Sequence, residues 1–174
     1  MKKVLLLAGL AGMVAANAEA LDATPYVGLD ANYGIVDSDS GTEISSKNWS
    51  LAGVLGARTD HYGVEAFYDN GLREHKAGAA TRNRSYGVDV LGFQQLGCSG
   101  RWEGVVSAGI GEYKLTHHAD EGHSDTGNGE RLGAGVQYAL TDNTSVRAMY
   151  HHTWVHKSVV NDFDTFSLGV RYAF

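Results

Sequence analysis

Residues 165–174 read T-F-S-L-G-V-R-Y-A-F. Phe166, Leu168, Val170, Tyr172 and Phe174 share one parity, and Thr165, Ser167, Gly169, Arg171 and Ala173 the other, which is the two-residue period of a β-strand. The apolar face runs to the last residue, although chain ends ordinarily fray into water. A strand of this kind needs neighbours, and the rest of the chain supplies seven.

Val27, Leu29, Ala31, Tyr33 and Ile35 alternate with Gly28, Asp30, Asn32 and Gly34. Pro25, the only proline, stands at the mouth of this first strand, where a missing N–H is tolerated. The second strand, near 48–58, sets Trp49, Leu51, Leu55 and Ala57 against Ser50, Ala52, Gly56 and Arg58. The third, 62–69, sets Tyr62, Val64, Ala66 and Tyr68 against Gly63, Glu65, Phe67 and Asp69. The fourth, 83–95, turns Tyr86, Val88 and Val90 one way and Ser85, Gly87, Asp89 and Leu91 the other. In the fifth, 101–115, Val105-Val106-Ser107 admits either facing; placing Trp102, Val106, Ala108 and Ile110 outward turns Glu103 inward. The sixth opposes Leu132, Ala134, Val136 and Tyr138 to Arg131, Gly133, Gly135 and Gln137, and the seventh opposes Val146, Ala148, Tyr150 and Trp154 to Ser145, Arg147, Met149 and His151.

The connections alternate. Thr59-Asp60-His61, Gly97 to Gly100 and Thr141-Asp142-Asn143 are tight turns, whereas 37–47, 70–82, 116–128 and 155–162 are long and polar. In a membrane barrel the short turns face the periplasm and the long loops the exterior, which puts both termini on the periplasmic side. The outward aromatics gather at the strand ends: Tyr62, Trp102, Tyr138, Tyr172 and Phe174 at one, and Tyr33, Trp49, Tyr68, Tyr86, Tyr150, Trp154 and Phe166 at the other. Two aromatic girdles around an aliphatic band are what a bilayer's two interfaces select. The expected fold is all-β, an eight-stranded antiparallel up-and-down transmembrane β-barrel.

The opposite face is charged. Asp30, Glu65, Asp89 and Glu103 point inward with Arg58, Arg131, Arg147 and Arg171. Eight strands leave only enough room for side chains to fill the lumen, and an unpaired charge there is costly. An ion-pair plug bridged by Ser50, Ser107, Gln137, Ser145 and Ser167 is expected, with a narrow ion-permeable pore as the weaker reading. A wide porin channel needs about sixteen strands.

Residues 1–20 stand apart from the fold. Lys2 and Lys3, an apolar run from Val4 to Ala16 and small residues at Ala16, Ala18 and Ala20 have the form of a signal peptide. Cleavage is expected after Ala20, with Ala18 as the alternative, leaving residues 21–174 as the barrel. No later run approaches the roughly 18 apolar residues of a membrane helix. The single cysteine, Cys98, sits among Gly97, Ser99 and Gly100 and forms no internal disulfide. A net charge of −6 without a basic stripe excludes a nucleic-acid partner. His75, His117, His118, His123, His152 and His156, with Asp120, Glu121 and Asp125, are donors that Zn²⁺ or Cu²⁺ takes. They lie in polar connections and read as solvated, so no metal is expected. Gly109-Ile110-Gly111 lies inside a strand with no helix after it, so no cofactor is expected either.

Tyr62-Gly63-Val64-Glu65-Ala66-Phe67-Tyr68, Tyr86-Gly87-Val88-Asp89-Val90-Leu91, the hairpin from Leu140 to Ala148 and Val170-Arg171-Tyr172-Ala173-Phe174 resemble the OmpA/OmpX-type outer-membrane barrels of the porin-like and opacity-protein superfamily. The resemblance implies a monomer in the outer membrane, contacting its lipids and lipopolysaccharide. It also implies that the assembly machinery reads the terminal strand ending in Phe174. The carboxyl-terminal peptidoglycan-binding domain of full-length OmpA has no counterpart, so a cell-wall tether is not implied. Members act as envelope-stabilising scaffolds or as adhesion and recognition proteins through four exterior loops, and that is the function expected, without catalysis. Arg73, Lys76, Arg82, Arg84, Lys114 and Lys157 stand where lipopolysaccharide phosphates would be. The alternative is a lipid A deacylase: His156-Lys157-Ser158, followed by Asp162 and Asp164, has a hydrolase-like spacing. The residues after Ser158 depart from that motif.

Overall fold

The structure, a computed structural model, describes residues 22–36, 46–72, 74–76, 79–118, 124–156 and 162–174. One antiparallel sheet contains β1 (Thr24–Val36), β2 (Ser46–Arg58), β3 (Tyr62–Gly71), β4 (Glu74–Lys76), β5 (Ala79–Leu96), β6 (Trp102–His118), β7 (Ser124–Ala139), β8 (Thr144–His156) and β9 (Asp162–Ala173). Each long strand pairs with the next long strand, and β9 returns to β1, so eight staves close into an up-and-down barrel.

The side chains are arranged inside out. Leu29, Ile110 and Leu168 are 73%, 67% and 60% exposed, while Glu65, Asp89, Arg147 and Arg171 are 4%, 1%, 2% and 5% exposed. Water cannot drive such an arrangement, because burial favours the apolar face; hydrocarbon around the wall can. β6 takes the facing with Trp102, Val106, Ala108 and Ile110 outward, since Val105 and Ser107 are buried in the lumen.

Stepping across directly paired residues from Tyr26 leads through Gly56, Glu65, Asp89, Gly109, Arg131, Thr153 and Phe163 to Val36, ten residues further along β1. This stagger tilts the strands, and with only eight of them the lumen is narrow enough for side chains to meet across it. Two lumen acids lie along the wall over the adjacent strand, so their ladder partners are glycines: a Cβ on Gly169 would collide with Asp30 Oδ1, and one on Gly109 with Asp89 Oδ1.

At the terminus end the turns are compact. Thr59 N donates to Tyr62 O at 2.8 Å, and Gly97 and Gly100 take φ of 73° and 68°, a region that glycine enters without strain. Asn143 O accepts from Ala173 N at 2.8 Å, Asn143 Nδ2 donates to Ala173 O at 3.1 Å, and Phe174 N donates to Pro25 O at 3.1 Å. Those bonds hold the last strand against its neighbours to the chain end.

At the loop end the strands run further than the apolar pattern indicates. β5 begins at Ala79 rather than near 83, β6 continues to His118, and β7 begins at Ser124 rather than after 128. The connection expected over 70–82 contains β4, paired with 79–81, and the one expected over 116–128 is mostly β-ladder. β8 likewise continues to His156, and β2 begins at Ser46. Above a membrane both faces of a strand meet water, so no apolar alternation marks it while backbone pairing continues. Arg73, Asp120, Glu121, His123, Lys157, Ser158, most of the 37–47 connection and residues 1–20 lie outside the described residues.

Candidate functional site

The lumen is the most heavily built polar region. Arg58 grips both oxygens of Glu103, at 2.8 and 2.7 Å, and Gln137 Nε2 donates to the same carboxylate at 3.0 Å. Gln137 Oε1 accepts from Arg147 Nε at 2.9 Å, and Arg147 donates onward to Glu65 at 2.9 Å. Tyr26 donates to that Glu65 oxygen at 2.9 Å and Arg171 Nε at 3.4 Å. Arg171 closes the chain on Asp30 with bonds of 2.5 and 2.9 Å. One continuous network thus ties together β1, β2, β3, β6, β7, β8 and β9. A separate pair, Arg131 with both oxygens of Asp89, joins β7 to β5.

All eight inward charges singled out from the sequence are therefore engaged, each acid with an arginine. The supporting cast differs from expectation. Gln137 is the bridge; Ser50 bonds Asp69 instead, Ser167 donates to Met149 O at 3.4 Å, and Ser107 Oγ has no partner among the described residues. Phe93 and Phe67 also point inward: the guanidinium of Arg58 lies 3.9 Å from the centre of Phe93, and that of Arg131 lies 3.5 Å from the centre of Phe67. A ring at this distance covers a side of the cation that carboxylates leave bare.

Asp69, on the Glu65 face of the third strand by alternation, is a further lumen acid outside the eight paired charges. It lies in the loop-end half of the lumen, where Asn32 Nδ2 and Ser50 Oγ donate to its Oδ2 at 2.8 and 2.9 Å. Below the network, a vestibule of about 270 Å³ opens between the short turns, lined by Asp22, Asp60, Asp142, Arg58 and Ser145 among others.

Outside, the aromatics meet in cross-strand pairs. Trp102 and Tyr138, partners across the β6–β7 ladder, have ring centres 4.7 Å apart, and Tyr33 with Trp49 and Tyr150 with Phe166 lie at 5.1 Å. Tyr172 packs on Phe174 at 5.4 Å. Tyr62, Tyr68 and Trp154 are also exposed on the wall, and Tyr86 stands directly across from Tyr68. These pairs divide into one group at each end, with Leu, Val, Ile and Ala between.

Two sectors of the loop-end rim have opposite chemistry. On β5 and β6, Arg84 and Lys114 are direct ladder partners, both exposed and neither bonded to a carboxylate among the described residues. On β8 and β9, Asp164 Oδ1 accepts from Tyr150 at 2.7 Å and lies 2.7 Å from His152 Nδ1. His156 stands 3.9 Å from Glu130. The hydrolase-like spacing therefore does not bring Asp164 to His156: the acid is held by His152 and Tyr150.

A closed, inside-out eight-stranded barrel with a charged lumen and aromatic-bounded wall defines an outer-membrane β-barrel protein. The chain belongs to the outer membrane protein beta-barrel domain family, whose model matches residues 4–174. No curated protein sequence matches it. Among solved structures it is similar to Neisserial surface protein A, with 22% identity, 87% of this chain and 99% of that chain covered, and a TM-score of 0.73. It is also similar to Ail, the attachment invasion locus protein of Yersinia pestis, at 16% identity, with 87% and 97% covered and a TM-score of 0.61. The N-terminal β-barrel domain of Pseudomonas aeruginosa OprF matches at 20% identity, with 86% and 97% covered and a TM-score of 0.59. At these identities the likeness is one of fold.

Proposed function

We propose that this outer-membrane protein is a non-catalytic scaffold and surface-recognition protein, anchored to the anionic glycolipid of the outer leaflet and presenting its loop end to ligands outside the cell. The reading takes residues 1–20 as a cleaved signal peptide, both termini as periplasmic and the loop end as extracellular. It also takes the terminal strand as the segment that the assembly machinery engages, the chain as a monomer, the two aromatic groups as interfacial girdles and the lumen network as a plug. The observation that carries it is the Arg84–Lys114 pair. Like charges directly across a ladder repel, and an anion between them, such as a phosphate, turns that repulsion into two charge-assisted contacts.

The test is binding of purified lipopolysaccharide to the full chain in phosphatidylcholine vesicles, compared with the R84S/K114S double variant and with dephosphorylated lipopolysaccharide. Loss of either the cations or the phosphates is expected to weaken binding by about tenfold, equivalent to about 1.4 kcal/mol. Equal binding in all three arms would refute the anchor. One crystal structure similar to this chain is that of Ail in complex with the heparin analogue sucrose octasulfate. A sulfated polysaccharide is accordingly the ligand class to offer the loop end in cell-adhesion assays.

A further inference from the structure

We propose that the loop-end half of the lumen holds one alkali-metal cation against Asp69. The argument begins with charge. Asp30, Glu65, Asp89 and Glu103 each face an arginine, and Arg58, Arg131, Arg147 and Arg171 each face one of those acids. Asp69 is a fifth carboxylate. Its Oδ2 is held by the neutral donors Asn32 and Ser50, and its Oδ1 is buried without a hydrogen-bond partner among the described residues. Neutral donors orient a carboxylate but do not cancel its charge, and a confined, uncompensated anion is costly.

Among the described lumen residues no fixed cation is free to do so. Arg131 is committed to both oxygens of Asp89 and stacks on Phe67. His151, on β8 across the barrel, packs over the bare backbone of Gly133 and forms no ion pair with Asp69.

The surroundings favour a hard monovalent ion. Asp69 is the ladder partner of Ser85, which is the partner of Tyr113, so the three form one row on the lumen wall. Tyr113 is 6% exposed with its hydroxyl beside Thr153, and the buried Asn48 Oδ1 has no hydrogen-bond partner among the described residues. Oxygen donors suit hard cations. A single carboxylate is neutralised by one positive charge, whereas a divalent ion would leave an excess. Among the described residues no group of three or more His, Cys, Asp or Glu side chains converges as a divalent or transition metal would require. Water can complete hydrogen bonds here, but it brings no charge.

The experiment uses the full chain refolded in phosphatidylcholine vesicles. Urea midpoints are compared in sodium chloride and in choline chloride at equal ionic strength, together with the ²³Na resonance linewidth. The wild-type midpoint should be higher in sodium, because an ion that binds only the folded state stabilises it, and the ²³Na line should broaden saturably. D69N should show neither effect, while H151Q should keep both. Equal wild-type midpoints in the two salts would overturn the proposal, a comparison that needs no variant to fold. So would a D69N protein that responds like wild type, because the ion would then sit elsewhere. Loss of the response in H151Q would make the imidazole the counter-charge and overturn it equally.

Discussion

The two halves of the lumen are built on the same alternation but satisfy their polar groups differently. In the terminus-end half, arginines and acids from seven strands form one connected network, and Gln137 uses both ends of its amide. In the loop-end half, hydroxyl and amide donors hold Asp69, and buried oxygens of Asn48 and Asp69 lack hydrogen-bond partners among the described residues. The first arrangement locks strands together; the second leaves capacity for something to enter.

The sharpest way to break the comparison is at Glu65, which takes bonds from Tyr26, Arg147 and Arg171. Glu65→Ala leaves the buried Arg147 without its carboxylate and takes one acceptor from Arg171, and should cost about 3–5 kcal/mol, read as a lower urea midpoint in vesicles. A cost below about 1 kcal/mol would mean that the lumen screens charge as an exposed surface does. Next comes Gly169→Ala. Its Cβ would meet Asp30 Oδ1 and lie 2.5 Å from the Leu29 carbonyl oxygen, displacing the carboxylate from Arg171. Overpacking of this kind should cost about 1–3 kcal/mol. Gly34→Ala is the control, since a Cβ there meets nothing nearer than 3.7 Å.

A smaller loss is expected at the edge of the network. Arg58 and Glu103 retain 20% and 22% side-chain exposure, so water already competes for them. Arg58→Ala should cost about 1 kcal/mol, part of it from the lost stacking on Phe93, and the loss should shrink in high salt. Salt independence would assign the pair to the sealed interior and move the boundary between the two halves.

Much of this was legible in the sequence, because a membrane wall writes itself as a period of two. The parity of Leu29, Leu51, Val90 and Leu168 placed the strands and their outward faces, and the complementary parity found Arg58, Glu65, Arg147 and Arg171. Partners were not legible: Arg171 and Asp30 are 141 residues apart, and only strand stagger brings them together. The alternation put Asp69 on the Glu65 face, but its setting was not legible, because its partners are neutral Asn32 and Ser50, which look like any inward strand residues. Phe67 and Phe93 ran against the polar-lumen rule, and their purpose shows only when the guanidiniums above them are in place. The strand extensions into β4, β5, β6 and β7 left no apolar trace, since backbone pairing in water asks for none.

The smallest expected effect is also the one whose sign changes. Arg84 and Lys114 face each other across the β5–β6 ladder as like charges, an arrangement that costs a few tenths of a kcal/mol in any strand pair. In zwitterionic vesicles at low salt, Arg84→Ser should therefore raise stability by about 0.2–0.5 kcal/mol. When lipopolysaccharide is added, the wild type gains the phosphate contact and the variant does not, so the same substitution should become destabilising. A lumen residue gives no such reversal, because the ligand does not reach it: Glu65→Ala should cost the same in both vesicles. If Arg84→Ser keeps one sign throughout, the rim pair is only a tolerated repulsion, and the contrast between a locking interior and a recognising rim loses its outer half.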